Sequence, residues 1–215
     1  IGGNGNDNLD YWDATAAINV NLSTGVVTGG AGADTVSGFE SVFASNSNDT
    51  ITGSAGNEWI NGNGGNDLLA GGNGFDGVAY GQATGGVIVN LQTGLATGAA
   101  GNDTLSGFEN IDGSNHDDTL IGDSNGNLFN PGNGNDSVDG GSGPNDLNDA
   151  VSYWSATGSL AINLGAGSVT GAMGTDIVLN IENATGGVYD DTIIGTSGNN
   201  FIEGNLGKDS LDGGS

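Results

Sequence analysis

The sequence of 215 residues lacks cysteine, and it holds one Lys or Arg against 26 Asp and Glu. Without cysteine there can be no disulfides and no thiolate metal sites. The formal net charge of −25 excludes a surface for nucleic acid or anionic membranes, because nothing cationic is available to meet phosphate. No run of 18 apolar residues occurs, so the sequence predicts no transmembrane segment.

Glycine is abundant instead, with 45 residues, and much of it falls in a repeated nine-residue pattern. Two clear copies begin at Gly2 and Gly71 and read Gly-Gly-x-Gly-x-Asp-x-apolar-x. Each combines a glycine-rich loop ending in a carboxylate with a short strand that carries one apolar side chain. Abundant glycine and one-sided charge are also typical of disordered chains, but disorder does not require a fixed period.

The nine-residue units are nested in a longer repeat. Residues 71–139 repeat residues 2–70 with an offset of 69, and a third copy covers residues 140–215 with an offset of 73. The extra residues lie within 144–148, where we expect the loop before Asp149 to bulge outward. The sequence therefore predicts one continuous repeat array over residues 1–215. Because it starts and stops within the pattern, we interpret it as a fragment of a longer protein.

Each long copy also carries an 18-residue insert, which covers residues 11–28 in the first copy. Within it Ile18, Val20 and Leu22 alternate with polar residues, which is typical of a strand with one buried face. We expect the insert to form further strands of the same coil. No helical periodicity of useful length occurs, so the sequence predicts an all-β solenoid without significant helix. One recurring amide is expected to stack as a ladder: Asn21, Asn90 and Asn163.

Such a solenoid has few apolar side chains in its core to stabilise it. Each unit offers the core about one apolar residue, worth roughly 1.5–3 kcal/mol when buried. Ordering the backbone costs about 1–2 kcal/mol per residue, and a hydrogen bond returns only about 1 kcal/mol. The carboxylates of stacked loops also repel one another. A divalent cation between loops would remove this repulsion, and Ca²⁺ is the natural candidate because it accepts carboxylate and carbonyl oxygens in flexible geometry.

The tandem units resemble the RTX (haemolysin-type) calcium-binding nonapeptide, and the resemblance covers nearly the whole chain. It implies a right-handed parallel β-roll in which two nonapeptides complete one coil. Calcium would be held there by Asp carboxylates and backbone carbonyls of stacked turns. The resemblance further implies that sixth-position residues two units apart share a side: Asp49 with Asp67, Asp118 with Asp136, and Asp191 with Asp209.

The predicted calcium ligands are twelve aspartates: Asp7, Asp34, Asp49, Asp67, Asp76, Asp103, Asp118, Asp136, Asp149, Asp176, Asp191 and Asp209. For any one of them, a solvated turn is the alternative, since Asp is also a common turn residue. In one unit of each long copy the sixth position is not aspartate; the residues there are Glu58, Asn127 and Asn200. We therefore expect one side of the roll to bind calcium weakly or not at all. In three loops the fourth-position glycine is replaced, by Ser47, His116 and Tyr189. We expect these three loops to be distorted.

Other recurring residues allow further interpretations. Three glutamates just outside the units either complete a calcium site or face solvent: Glu40, Glu109 and Glu182. Trp12 and Trp154, beside the recurring tyrosines, are expected to pack against the coil rather than to stack on carbohydrate. His116 is the single histidine and has no counterpart in the other copies, so a Ser-His-Asp site finds little support and we expect no enzymatic activity.

We therefore expect a calcium-stabilised scaffold or stalk segment of a large secreted or cell-surface bacterial protein, such as an adhesin, a surface layer or an extracellular filament. It would fold on meeting calcium outside the cell, and the RTX resemblance implies type I secretion. The alternative is a calcium-binding export module of a secreted enzyme or toxin. A third interpretation, a solenoid that binds carbohydrate or ice, needs a flat face of aromatics or threonines. Self-assembly through cations and a cell-surface glycan are candidate partners. Calcium binding should weaken below about pH 4, because the ligand carboxylates must be ionised.

Overall fold

The computed structural model describes residues 1–142 and 148–215. The bulge expected at residues 144–148 lies outside the described residues except at Asn148. Within the described part the chain is all-β, as predicted, with 24 strands and no helix that could cross a membrane. Most strands are three residues long and most pairings are parallel, which agrees with the β-roll implied by the resemblance.

One sheet, called sheet A, contains nine parallel strands that follow one another in chain order. Between hairpins, neighbouring strands of this sheet are 18 residues apart in the sequence, as the paired residues Val42 and Ile60 show. Two nine-residue units therefore complete one coil, as expected. The strands are β1 (Asn8–Asp10), β5 (Ser41–Phe43), β7 (Trp59–Asn61), β9 (Gly77–Ala79), β13 (Asn110–Asp112), β15 (Leu128–Asn130), β17 (Ala150–Ser152), β21 (Asn183–Thr185) and β23 (Ile202–Glu203).

The other sheet, called sheet B, contains fifteen strands. They are β2 (Ile18–Asn21), β3 (Val26–Gly29), β4 (Asp34–Thr35), β6 (Thr50–Thr52), β8 (Leu68–Ala70), β10 (Val87–Asn90), β11 (Leu95–Gly98), β12 (Gly101–Ser106), β14 (Thr119–Ile121), β16 (Ser137–Asp139), β18 (Leu160–Asn163), β19 (Ser168–Gly171), β20 (Gly174–Leu179), β22 (Thr192–Ile194) and β24 (Ser210–Asp212). The inserts form strands of this sheet, as predicted, but as antiparallel hairpins: β2 with β3, β10 with β11, and β18 with β19. A tight hairpin reverses the chain, so the parallel coil is interrupted once in each long copy.

The recurring amides of the inserts close these hairpins. Asn21 Oδ1 accepts the backbone N–H of Thr24 at 2.8 Å, a local bond that is common in turns. The same bond recurs in the other copies, from Thr93 to Asn90 and from Ala166 to Asn163. The predicted amide ladder is therefore wrong. Four strands separate β2 from β10 within sheet B, so these side chains cannot stack.

The core lies between the two sheets and takes the central residue of each short strand. Val42 and Ile60 of sheet A and Ile51 and Leu69 of sheet B are fully buried in one apolar cluster. The hairpins add to the same cluster, for example through Val20. Each long copy thus buries more apolar surface than its nine-residue units alone provide. The loops that carry the carboxylates lie along the flanks of this core.

Candidate metal centres

The sixth-position residues of stacked loops form a ladder along the flank of sheet B. Asp67 Oδ1 accepts the backbone N–H of Asp49 at 2.7 Å, and Asp103 Oδ1 accepts the N–H of Asp67 at 3.0 Å. The same arrangement recurs along the chain: Asp118, Asp136 and Asp176, then Asp191 and Asp209. The three pairings of aspartates that the resemblance implies are therefore present in the structure.

A second ladder runs along sheet A and includes the recurring glutamates. Asp76 Oδ1 accepts the N–H of Glu58 at 2.7 Å, and Glu109 Oε2 accepts the N–H of Asp76 at 2.9 Å. The glutamate bond recurs in the other copies, from Asp7 to Glu40 and from Asp149 to Glu182. Each glutamate lies in a turn that is shorter than the six-residue loop of a regular unit. Its side chain is longer than that of Asp, so its carboxylate still reaches the backbone N–H that an Asp carboxylate accepts in the other loops. Their recurrence at one point of the long repeat was the sequence signal for this role.

In six loops the sixth side chain folds back onto its own loop. These capped loops are residues 44–49, 53–58, 113–118, 122–127, 186–191 and 195–200. In the first of them Asp49 Oδ2 accepts the N–H of Ser45 at 2.8 Å, and Oδ1 accepts the N–H of Ile18 at 2.8 Å. The bond to the second residue recurs in the other five, from Ser54, Ser114, Asp123, Gly187 and Thr196. Both oxygens of Asp49 are thus already used by the protein.

Six loops have glycine or asparagine at the second position and glycine at the fourth, and in one of them, residues 29–34, the aspartate is bonded to a tyrosine. The other five, called glycine loops, are residues 2–7, 62–67, 71–76, 131–136 and 204–209. In loop 62–67, Asn63 and Gly65 have φ angles of 57° and 142°, a left-handed backbone that only glycine and asparagine adopt readily. The N–H of Asn63 is then donated to Asn61 Oδ1 at 2.8 Å instead of to Asp67.

One carboxylate oxygen is consequently left over in the glycine loops. Asp67 Oδ2 is buried, and within residues 1–142 and 148–215 it has no hydrogen-bond partner. The same holds for one oxygen in three more of these loops: Asp7 Oδ2, Asp76 Oδ2 and Asp136 Oδ2. A buried carboxylate oxygen without a partner is costly, so these four atoms mark places where a ligand would restore the lost interaction.

The aspartate in the strand that follows each hairpin of sheet B (β4, β12 and β20) is bonded to a tyrosine. The hydroxyl of Tyr80 donates to Asp103 Oδ2 at 3.0 Å. The same pair recurs in the other copies, Tyr11 with Asp34 at 2.9 Å and Tyr153 with Asp176 at 2.7 Å. Because Asp103 Oδ1 accepts the N–H of Asp67, both of its oxygens are occupied. A tyrosine 23 residues before an aspartate is the sequence signal of this pair, which motif reasoning missed.

The stacked carboxylates are desolvated and repel one another. Burial raises the pKa of Asp67 to about 8; the charges of Asp103 and Asp49 act in the same direction, against a hydrogen bond from the Asp49 backbone. Burial likewise raises the pKa of Asp136 to about 7. The pKa is also raised, chiefly by burial, for Asp76, Asp103, Asp118 and Asp176. Ionised carboxylates in these ladders therefore need a compensating positive charge.

The glycine loops fit a hard cation in both shape and donor type. A Cβ atom on Gly65 would lie 2.5 Å from the Ser47 carbonyl oxygen and 2.8 Å from Asp67 Oδ1, so only glycine leaves this space clear. The described residues contain no group of three or more His, Asp or Glu side chains that could hold a metal. A cation bound here therefore takes backbone carbonyls besides carboxylates. Ca²⁺ accepts such mixed sets of oxygens.

The structure sorts the twelve predicted ligands into four groups. Five end glycine loops: Asp7, Asp67, Asp76, Asp136 and Asp209. Three end capped loops: Asp49, Asp118 and Asp191. Three are bonded to tyrosine: Asp34, Asp103 and Asp176. The twelfth, Asp149, lies in the sheet A ladder at the end of a loop that falls partly outside the described residues. Which of the twelve bind calcium stays a prediction.

Two expectations about unusual residues meet a different outcome. Ser47, His116 and Tyr189 lie in capped loops; the φ of each is negative, so the loops follow another backbone path rather than a strained one. Trp12 and Trp154 are 46% and 63% exposed. Their predicted packing against the coil is therefore wrong; Tyr153, beside Trp154, and its counterpart Tyr80 in the middle copy are buried instead.

Comparison with known families agrees with this geometry. Four stretches match the family model of the RTX calcium-binding nonapeptide repeat: residues 26–40, 43–78, 95–109 and 185–215. No curated protein matches the chain significantly. The matched stretches contain three of the glycine loops, and RTX nonapeptide repeats bind several calcium ions per array. Over these four stretches the chain consists of RTX calcium-binding nonapeptide repeats, as the resemblance implied.

Proposed function

We propose that this chain is a calcium-folded structural segment, a scaffold or stalk without enzymatic activity, in a protein that works outside the cell. The observation that carries the proposal is the set of buried Asp oxygens left without partners in the glycine loops. Proteins with RTX repeats are typically secreted, and this supports an extracellular location, with type I secretion as the route. The net charge of −25 supports folding only where divalent cations are plentiful.

The ligands proposed here are the aspartates that end the glycine loops: Asp7, Asp67, Asp76, Asp136 and Asp209. In loops 62–67 and 131–136, one oxygen of the carboxylate accepts an N–H from the preceding loop, which fixes the orientation of the side chain. The other oxygen points into the loop and is available. When bound, Ca²⁺ would supply the positive charge that stacked carboxylates lack, and its binding free energy would add to the folding free energy.

The remaining ladder residues support these loops. The capped loops hold their own backbone with the sixth side chain, so they need no ion to close. The Tyr80 hydroxyl donates to Asp103, whose other carboxylate oxygen accepts the backbone N–H of Asp67. Loops 62–67 and 131–136 are thus each placed between a capped loop and a hairpin of sheet B. This arrangement would leave little of the loop to be ordered when calcium arrives.

A scaffold is favoured over an export module by the continuity of the array. The three long copies share both sheets, and the hairpins extend sheet B to fifteen strands without a break in hydrogen bonding. An adhesin, a surface layer or an extracellular filament would use such a rod. The sequence that flanks residues 1–215 separates the two: further long copies on both sides support the scaffold, and an adjoining catalytic or pore-forming domain supports the module.

Calcium titration of the metal-depleted chain tests the proposal. Circular dichroism should show the strand signal lost in excess EDTA and restored by Ca²⁺ but not by the same concentration of Mg²⁺. Calorimetry should count five or six ions, depending on the loop that ends at Asp149. A strand signal indifferent to EDTA would overturn the proposal. Twelve ions would retain the calcium scaffold and reject the assignment of ligands to the glycine loops.

A further inference from the structure

A shallow cavity recurs at the same place in two of the long copies. The first, of about 420 Å³, lies between the short turn at Glu40 and the capped loop 53–58. The second, of about 560 Å³, lies between the turn at Glu182 and the capped loop 195–200. Six positions shared by the two linings are each 142 residues apart in the sequence, as Glu40 and Glu182 are. The cavity is thus a property of the repeat and not an accident of one loop.

An aromatic ring lines each cavity. In the first copy Trp59 lies flat over Gly77 of the next strand; a Cβ atom on Gly77 would collide with Cε3 and Cζ3 of the indole. Phe75, which is half exposed, adds a second ring to this cavity. In the third copy Phe201 takes the place of Trp59. Each cavity therefore offers a fixed apolar surface that is open to solvent.

Amides surround the ring. Asn6 and Asn57 line the first cavity, and Asn148 and Asn199 take their places in the third copy. Asn110 also lines the first cavity; it is 5% exposed, and its Oδ1 finds no hydrogen-bond partner in the described part of the chain. A buried amide oxygen facing a cavity without a partner indicates a missing hydrogen-bond donor.

The carboxylates of the first cavity are already engaged. Glu58 accepts both the N–H and the hydroxyl of Ser54, at 2.8 and 2.6 Å, and Glu40 Oε2 accepts the N–H of Asp7 at 3.0 Å. Glu58 is moreover replaced by Asn200 in the second cavity. The features that both cavities share are the aromatic ring, the two amides and a single glutamate. One carboxylate among neutral groups is not a lining that would select a cation.

We propose that each of these cavities binds a neutral sugar residue of a glycan. An aromatic ring presents an apolar face to the C–H groups of a pyranose, while amides can both donate to and accept from its hydroxyls. The cavity volumes leave room for one or two sugar rings. The charge of the chain disfavours acidic sugars. The middle copy has Leu128 and Gly126 at the positions of Trp59 and Asn57, so it lacks both the ring and the amide.

The intrinsic fluorescence of Trp59 tests the proposal directly. A Trp12→Phe/Trp154→Phe variant leaves Trp59 as the only tryptophan. In saturating calcium it is titrated with methyl glycosides and disaccharides of glucose, galactose, mannose and N-acetylglucosamine, and with Nα-acetyl-lysine amide as a cationic probe. At least one neutral sugar should change the emission saturably, with a Kd of about 1 mM, as expected for a small shallow site.

Three variants locate the binding. In the same background, Asn57→Asp keeps the oxygen that accepts the N–H of Phe75 but removes the amide donor; it should weaken the sugar at least about tenfold while the strand signal and the calcium stoichiometry stay unchanged. In the natural background, saturation-transfer NMR should show the sugar signal reduced by Trp59→Ala and abolished by Trp59→Ala/Phe201→Ala. The matched control Trp154→Ala, an exposed tryptophan outside both cavities, should leave it unaltered.

Two outcomes would overturn this site. Saturable binding of the lysine derivative without any sugar would make it a cation site, and no response to any probe would make it a structural gap. Because every measurement is made on the calcium-bound chain, either result would leave the proposed calcium scaffold standing.

Discussion

Loops 44–49 and 62–67 lie on adjacent strands of one sheet, end in the same residue type and belong to one ladder, yet they use their carboxylates differently. Asp49 spends both oxygens on backbone N–H groups, while Asp67 keeps one oxygen buried and without a partner in the described structure. The difference arises from two backbone angles, since Asn63 and Gly65 adopt positive φ and Ser45 and Ser47 do not. A repeat can therefore contain the acidic residue of a metal site without the backbone of one.

The two loop types differ in the free energy of their carboxylates when no cation is bound. A capped loop needs no cation, because it either ends in an amide or satisfies its carboxylate with hydrogen bonds, as Asp49 does with two backbone N–H groups and the Ser45 hydroxyl. A glycine loop leaves a carboxylate that is costly until a cation arrives. Loops 62–67, 71–76 and 131–136 each have a capped loop on one side and a hairpin or short turn on the other, so they are held in shape by neighbours that need no ion of their own.

The largest expected effect concerns pH in the metal-free chain. The pKa of Asp67 is raised to about 8 in the fold, whereas an unfolded aspartate ionises near 3.9. The unfolded chain therefore loses its protons first as pH rises, so the fold becomes less stable from about pH 4 up to pH 8. Circular dichroism of the calcium-depleted chain should therefore show more strand at pH 5 than at pH 8. Calcium affinity should change in the opposite direction, rising over the same range.

The expectation of calcium loss only below about pH 4 is thus sharpened by the structure, because protons compete with calcium well above that value. Asp67→Asn/Asp136→Asn should flatten the pH dependence of the metal-free chain, since these two carboxylates carry the highest pKa values. An equal strand signal at pH 5 and pH 8 in the calcium-depleted natural chain would contradict the desolvation of the ladders.

Removing one glycine-loop carboxylate should cost one ion. Asp136→Asn keeps the acceptor for the N–H of Asp118 but removes the charge. Calorimetric stoichiometry should fall by one, and at a calcium concentration of about 100 times Kd the lost linkage amounts to about 2.7 kcal/mol. The matched control is Glu58→Gln in a capped loop, where amides occur naturally in the other copies. Loss of an ion in that control would erase the distinction between the loop types.

The backbone angles themselves can be tested with alanine. Gly65→Ala places a Cβ at φ 142° and 2.5 Å from the Ser47 carbonyl, which should destabilise the calcium-bound chain by about 1–3 kcal/mol. Gly56→Ala, at the same position of a capped loop, meets only the flexible end of Glu58 and should cost less than about 1 kcal/mol. Thermal unfolding in excess calcium measures both. Equal losses would show that the two backbones are interchangeable.

The smallest effect is expected at the tyrosines. Tyr80→Phe removes the donor to Asp103 Oδ2 and leaves a buried oxygen unsatisfied, which should cost about 1–2 kcal/mol in urea unfolding without changing the calcium count. Tyr11→Phe breaks the equivalent bond at an exposed place and should cost less. A lower calcium count after Tyr80→Phe would instead give Asp103 a place among the calcium ligands.

Much of this architecture follows from the sequence, because period and alternation act locally. The nine-residue pattern predicted the all-β class and the strands with one inward side chain, and the resemblance to the RTX nonapeptide implied the pairing of Asp49 with Asp67. The direction of the insert strands could not be read in the same way, since alternation at Ile18 and Val20 is the same in a parallel and an antiparallel strand. The division of the aspartates could not be read from the acidic residues alone, since it depends on the second and fourth loop positions together, as the capped loop 186–191 with Gly187 and Tyr189 shows.

The hairpins of sheet B have a mechanical consequence. Strands β10 and β11 separate Asp103 from Asp118, so the aspartate ladder is interrupted once in each long repeat. Failure of one glycine loop under tension would stop at the next hairpin instead of travelling along the whole flank. A rod pulled at both ends should then lengthen in equal steps, each releasing about 69 residues, or roughly 230–250 Å of extended backbone. Its resistance to force would be set repeat by repeat, through the calcium concentration around it.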